Sequence, residues 1–283
     1  MTVEINGLFY YPIKSCRGTA VEEAALDVRG FRHDRRWMVV RAETGRFVTQ
    51  REYPRMAQVC PTVAEGSLLV SAPGMSDLCV PPQPEDALTR RSVSVWQFSG
   101  DGLDEGEEAA EWFSAMMGFP CRLVRTPDDF SRRVSRKYSR GEEPVGFADG
   151  FPFLLTSEES LADLNSRLEA PVPMARFRPN IVVRGATAWA EETWRTLRAT
   201  GSGTEFTVAK PCTRCAVTTV DQESGAKMGA EPLATLARYR RDSNGKVCFA
   251  VNLVANSSVG VVRVGEVLEV VSLRSKPFAI GGQ

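Results

Sequence analysis

The spacing of apolar and polar positions changes character along the chain. Through the first hundred residues, apolar runs are short and broken by Gly and Pro. Val3 to Tyr10 and Arg36 to Arg41 predict strands, and a turn at Thr44-Gly45 leads into another extended stretch, Arg46 to Thr49. Short strands with frequent breaks suggest a small barrel or sandwich. From Glu105 to Gly118 the period lengthens. Trp112, Phe113, Met116 and Met117 then share one helical face, and Gly118 is a stop signal. The second half opens with a strand over Phe151 to Leu155. Thr156 with Glu159 has capping-box spacing, followed by Leu161, Leu164 and Leu168 at helical intervals. Strands are expected at Asn180–Val183, Ala216–Val220, Val247–Val254 and Val261–Val271, the last with Val264 to Val270 alternating after a tight turn. A helix is expected at Pro232–Tyr239. There is no internal repeat. The pattern predicts a β-dominated chain in two parts, each with one or two helices.

Between the parts, Asp128 to Gly150 carries little apolar matter but contains Arg132, Arg133, Arg136, Lys137 and Arg140. It reads equally as a mobile lid or as a solvated surface loop.

Composition narrows the function classes. The 283 residues are 43% hydrophobic and 25% charged, enough for a substantial core in one large or two medium domains. Lys+Arg and Asp+Glu are 35 each, so no bulk basic surface points to nucleic acid. Met1 to Asn6 has no signal-peptide character, and no run approaches the roughly 20 apolar residues of a membrane span. The expectation is a soluble, cytoplasmic protein. Seven cysteines, an odd number at irregular spacing, read as reduced thiols. His33 is the only histidine, which removes multi-histidine metal sites.

Cys212 and Cys215 form a single C-x-x-C. A zinc site would need a second ligand pair that the sequence lacks. A redox dithiol should open a helix, and the β-branched run Ala216 to Val220 favours a strand instead. A third reading is one thiolate bound to a redox metal whose other ligands come from an organic cofactor. Arg214 beside the thiol would favour its thiolate. A phosphorylated cofactor would need anion-binding groups, and candidates exist at Lys14-Ser15, Arg35-Arg36, and Arg176-Phe177-Arg178 ahead of Asn180 and the apolar Ile181-Val182-Val183. Taken singly, each could be an ordinary surface charge. Only their convergence would make a phosphate cradle.

Several segments, in one order and at matching spacing, resemble a known family. Tyr11-Pro12-Ile13-Lys14-Ser15-Cys16-Arg17-Gly18 looks like the opening signature of the N-terminal β-barrel domain of MOSC proteins. Asp34-Arg35-Arg36-Trp37, Phe151 to Leu168, Arg176 to Val182 and Lys210 to Asp221 resemble the mitochondrial amidoxime-reducing component and its bacterial relatives. The resemblance covers about residues 3 to 271. It implies a β-rich α+β fold, an N-terminal β-barrel-like domain (1–125) packed on a C-terminal MOSC β-barrel domain (126–273) with a few helices, and a tail (274–283).

The same resemblance implies a molybdenum cofactor, molybdenum on molybdopterin, with Cys215 as the metal ligand and Asp149 near the metal. Lys14, Ser15, Arg35, Arg178, Thr213 and Arg214 would hold the pterin and its phosphate, with Asn180 facing the same pocket. Cys212 has no ligand role. Thr213 stands where the eukaryotic relatives carry Ser, and Asn252 where they carry Tyr. The implied reaction is reduction of N-hydroxylated compounds such as amidoximes and hydroxylamines. Electrons would come from a separate protein, ferredoxin-like or cytochrome b5-like with a flavin reductase, because the cysteines after Cys215 cannot hold an iron–sulfur cluster. The arginine-rich 132–140 segment is a candidate docking surface for it. The alternative is a molybdenum-cofactor or sulfur carrier that uses Cys215 without turnover.

Overall fold

The strand-period segments of the second half pair around a closed circuit in the computed structural model, which describes residues 1–139 and 143–281. The circuit runs Ile181–Arg184, Phe153–Ser157, Cys248–Ala255, Glu205–Thr213, Trp194–Ala199, Val267–Leu273 and Thr2–Tyr10, and Thr2–Tyr10 pairs back onto Ile181–Arg184. The first strand of the chain therefore closes a barrel made otherwise of residues beyond 150. A cut at residue 125 would remove one of its staves. Alternation along each strand, reset in Thr2–Tyr10 by a bulge between Ile5 and Gly7, directs Ile5, Leu8, Phe153, Leu155, Trp194, Phe206, Leu253 and Leu268 inward. Phe153 meets Phe31 and Phe206 edge-on at 5.0 and 5.3 Å. Losing one such buried ring costs about 3–5 kcal/mol.

Residues 37–125 form the second layer of the molecule. Trp37–Arg41, Cys121–Arg125, Phe98–Asp104 and Arg90–Val95 make a four-stranded sheet whose edges are bridged by Arg46 and Phe47, and Cys60–Ala64, Ser67–Ser71 and Leu78–Val80 a smaller one. The helix Glu107–Met117 buries Trp112, Phe113, Met116 and Met117 against Val39, Leu68 and Leu123. It ends at Gly118, whose φ of 80° gives the left-handed cap expected of glycine. Two further helices, Glu158–Asn165 and Leu233–Tyr239, flank the barrel. The closed barrel joined to a half-barrel agrees with the expected N-terminal β-barrel-like domain packed on a MOSC β-barrel domain. No helix among the described residues is long and apolar enough to cross a membrane.

Several local expectations change, and the strand expected over Val261–Val271 is two, Val261–Arg263 in a small sheet and Val267–Leu273 in the barrel. Ala216–Thr219 is a 3-10 turn, not a strand. The Thr218 and Thr219 hydroxyls donate to the Cys215 and Ala216 carbonyls at 3.1 and 2.8 Å, a local pairing that overrides β-branched preference. The cap of Glu158–Asn165 is Ser157, whose Oγ accepts from the Ser160 amide at 3.0 Å; Thr156 is the buried strand residue before it. Arg132 lies buried, and its guanidinium donates to the Gly146, Ala148 and Asp149 carbonyls, so it is no part of an exposed docking stripe. Phe130, Val134, Val145 and Phe147 are buried as well, which anchors both ends of the segment read as a loose loop; Arg140 lies outside the described residues. Part of the tail is also docked, with Ile280–Gly281 paired to Arg241–Asp242.

Candidate functional site

Strand ends and turns from both halves meet in one cleft. Its walls include Lys14, Ser15, Arg35, Asp149, Arg178 and Asn180. Facing them are Thr213, Arg214, Cys215 and Asn252. Every site residue implied by the family resemblance thus opens onto a single space, although they are spread over more than two hundred positions. Arg36 and Arg176 do not line it. Arg176 is buried under the cysteine loop, where it bonds the Thr218 carbonyl and the Asp221 carboxylate.

The first wall is fixed by backbone bonds. The Lys14 amide donates to the Trp37 carbonyl at 2.8 Å, and the Arg35 amide to the Tyr11 carbonyl at 2.7 Å. The Phe147 amide donates to the Arg35 carbonyl at 2.9 Å, and a Cβ on Gly146 would lie 2.9 Å from that same oxygen, so only glycine permits the approach. Ser15, Arg35 and Arg178 hold φ values of 67°, 47° and 57°, in the left-handed region that side chains disfavour. Three such residues around one cleft are backbone strain concentrated at a site.

Two guanidinium groups lie over the Tyr11 ring, Arg35 at 4.1 Å and Arg178 at 4.4 Å. Burial pushes the Tyr11 hydroxyl up to about 12, against the pull of the two arginines, so it stays a neutral donor to the Pro179 carbonyl. Arg35 is paired with the buried Asp34. Asn180 is 1% exposed, and its amide is fully used: Oδ1 accepts from Arg35 and the Leu154 amide, while Nδ2 donates to the Phe9 carbonyl and Asp34. Its polar atoms therefore position Arg35 and the strand ends, with no capacity left for a ligand.

Lys14 is buried, and burial lowers its pKa against the opposing pull of Asp149. Its Nζ donates to the Phe147 carbonyl at 2.8 Å and to Asp149 Oδ1 at 2.5 Å, leaving one N–H for a ligand. Outweighing what hydration it loses at this mostly exposed position, Lys14 and the Trp96 indole hold the Asp149 carboxyl well below the usual carboxylate range.

Across the cleft, Glu205–Thr213 delivers Cys212 to Cys215. Cys215 is exposed and Cys212 half-buried. Arg214 donates to Cys212 Sγ at 2.9 Å and to the Phe177 carbonyl at 2.7 Å, so the expected pairing of Arg214 with the Cys215 thiol is not the one formed.

The charges fit a phosphorylated ligand. Lys14, Arg35, Arg178 and Arg214 face only Asp34 and Asp149, leaving two positive charges in excess. Arg178 is 9% exposed, bonds a neutral acceptor, Gln222 Oε1, at 3.3 Å, and pairs with no carboxylate among the described residues. The buried Nε of Arg214 has no partner among the described residues. Buried cations without counter-charge are costly, and a bound anion would offset them. No group of three or more His, Cys, Asp or Glu among the described residues is placed to hold a metal, so a metal at Cys215 would take its other ligands from a cofactor.

Sequence reasoning missed the support of this site. Asp34 and Tyr11 sit inside quoted motifs and could have been named as partners of Arg35. Arg132 was singled out only as a surface charge, because carbonyl partners leave no mark in a sequence, and Gln222, 44 residues from Arg178, gave no signal.

The MOSC N-terminal beta barrel domain matches residues 2–120 and the MOSC domain residues 142–269. The chain is 37% identical over 273 residues to mitochondrial amidoxime-reducing component 1 of Mus musculus, covering 92% of this chain and 79% of that protein. It is 36% identical over 242 residues to the Homo sapiens protein of the same name, covering 83% and 71%. It is 31% identical over 272 residues to molybdenum cofactor sulfurase of Oryza sativa subsp. japonica, covering 89% of this chain and 32% of that protein. The chain belongs to the MOSC-domain family that contains the mitochondrial amidoxime-reducing components.

Proposed function

We propose that the cleft holds a molybdenum–pterin cofactor and that the protein reduces N-hydroxylated compounds with electrons from a separate redox protein. The observation carrying this reading is the convergence of four cations and an exposed thiol on one space, two charges short of neutrality. Arg35, Arg178, Arg214 and Lys14 would hold the phosphate and pterin, with the Ser15 and Thr213 hydroxyls and Asn252 beside them. Cys215 would supply the single protein ligand to the metal. When bound, the cofactor would supply the two-electron chemistry that breaks an N–O bond, giving amine or amidine and water.

The chain's own residues would orient that reaction. The paired Lys14 ammonium and Asp149 carboxylate stand on the cleft wall as donor and acceptor. Lys14, whose one remaining N–H would go to the cofactor, keeps Asp149 ionised to accept a substrate N–H. The names of the relatives agree, amidoxime-reducing components over most of the chain and a cofactor sulfurase at lower identity. The second of these, with the exposure of Cys215, favours one alternative, a carrier holding cofactor or sulfur on that thiol.

The test is protein made in a host that assembles the cofactor. Near-stoichiometric molybdenum, with reduction of benzamidoxime by the chemically reduced protein, is the expected result. Molybdenum-loaded protein that reduces no amidoxime or hydroxylamine would favour the carrier.

A further inference from the structure

Strands Arg90–Val95 and Phe98–Asp104 pair up to Val95 and Phe98, so the hairpin turns on Trp96 and Gln97 alone. Two-residue hairpin turns place their positive-φ positions on Gly or Asn. Here the largest side chain of all holds a φ of 57°. Nor is the indole buried by way of compensation, since Trp96 is 47% exposed. A residue that suits neither its backbone nor its solvent is a candidate for a function.

The ring is nonetheless fixed in place. The Arg51 guanidinium lies 4.3 Å from its centroid, and Phe47 meets it at 5.2 Å. The indole N–H donates to Asp149 Oδ1 at 3.1 Å. That oxygen also takes the Lys14 ammonium, while Asp149 Oδ2 has no partner among the described residues and the side chain is 73% exposed. Asp149 lines both the cleft and an adjoining hollow that Trp96 borders, so a fixed, half-exposed indole and a free carboxylate oxygen stand together where the two spaces meet. Aliphatic chains gain little from such a surface, whereas a conjugated ring gains stacking across its whole face.

We infer that Trp96 is a specificity-determining platform, on which the planar conjugated part of a substrate stacks while a substrate N–H donates to Asp149 Oδ2. The inference rests on reading the adjoining cleft as the site of N–O reduction. It adds a preference for flat aromatic amidoximes and N-hydroxylated bases over aliphatic ones. Arg51 and Phe47 act as positioning residues, holding the indole at its angle.

The test compares benzamidoxime with acetamidoxime on wild type, Trp96→Phe and Trp96→Ala, by equilibrium calorimetry and by KM separately from kcat. In wild type the aromatic compound should bind more tightly. Trp96→Ala should lower that preference about tenfold, the size of one lost stacking contact, through KM rather than kcat. Trp96→Phe keeps a ring and should retain most of it. Unchanged circular dichroism and melting temperature in both variants would separate this from misfolding. Binding needs no turnover, so the two proposals fail separately. Preference lost in Trp96→Ala on protein that reduces nothing would sink the reductase and leave the platform. A wild type without preference, or a folded Trp96→Ala with wild-type preference, overturns the platform.

Discussion

On one side of the cleft, Lys14, Arg35 and Arg178 are largely enclosed, knotted into Tyr11, Asp34 and Asn180, and hung partly on left-handed backbone. On the other, Thr213 and Cys215 stand exposed where a strand runs out into a single 3-10 turn. The first wall concentrates charge where water cannot screen it, which makes it a strong anion site and a burden on the fold. The second commits almost nothing to stability, so its thiol is free to act as a ligand. Most of the binding charge and its structural cost have thus been placed on one wall, while the other adds Arg214 and the coordinating thiol.

Substitutions can break that division. The largest effect belongs to Cys215→Ser, which should abolish molybdenum retention in elemental analysis while leaving the thermal midpoint of the cofactor-free protein unchanged, as expected of an exposed side chain. Cys212→Ser should keep the metal; the opposite pattern would overturn the ligand assignment. Next comes Arg132→Met, which strips the donors from the Gly146, Ala148 and Asp149 carbonyls. It should cost about 2 kcal/mol or more in urea unfolding and open the loop to proteolysis. A smaller change, of opposite sign, is expected for Arg178→Met. Removing a buried cation with no carboxylate partner should stabilise the cofactor-free protein by about 1 kcal/mol, a rise of a few degrees, while weakening retention of the cofactor. A loss of stability in cofactor-free Arg178→Met would show that this wall is no burden.

Strand and helix periods were legible because each segment buries one face, as in Thr2–Tyr10 and Glu107–Met117. That Thr2–Tyr10 closes the far barrel was not legible, since periodicity gives a strand its faces but not its neighbours. Ala216–Thr219 misled because β-branching is a weak preference beside two hydroxyl-to-carbonyl bonds made within the turn itself. The charged ring of Lys14, Arg35, Arg178 and Arg214 was legible through motifs. The distinction between Arg178, which has spare donors, and Asn180, which has none, needed every partner counted. Trp96 was invisible, because a tryptophan in a polar stretch looks like an ordinary strand residue until its φ and exposure are known.

The smallest effect lies in pH dependence at the point where the buried wall meets solvent. The folded Asp149 carboxyl sits below its ordinary value of 3.8, chiefly because Lys14 outweighs the loss of hydration. Its contribution to stability is therefore fully present above 3.8 and is lost as pH falls through the lower folded value. Lys14 has a dependence of the same sign in a higher window: burial holds it below 10.5, so the unfolded chain binds the extra proton, and stability rises with pH between the folded value and 10.5. Asp149→Asn removes the first term and leaves the Lys14 ammonium without its counter-charge, which moves the second window to lower pH. The difference in urea midpoint between wild type and variant should then be level from neutral pH down to about 3.8. It should shrink below that, and shrink again on the alkaline side, where the variant discharges Lys14 first. Because the Asp149 side chain is mostly exposed, solvent screening keeps the whole effect small. A difference that stayed constant through both limbs would mean that the pair is only a surface contact and that Lys14 is held by the Phe147 carbonyl alone.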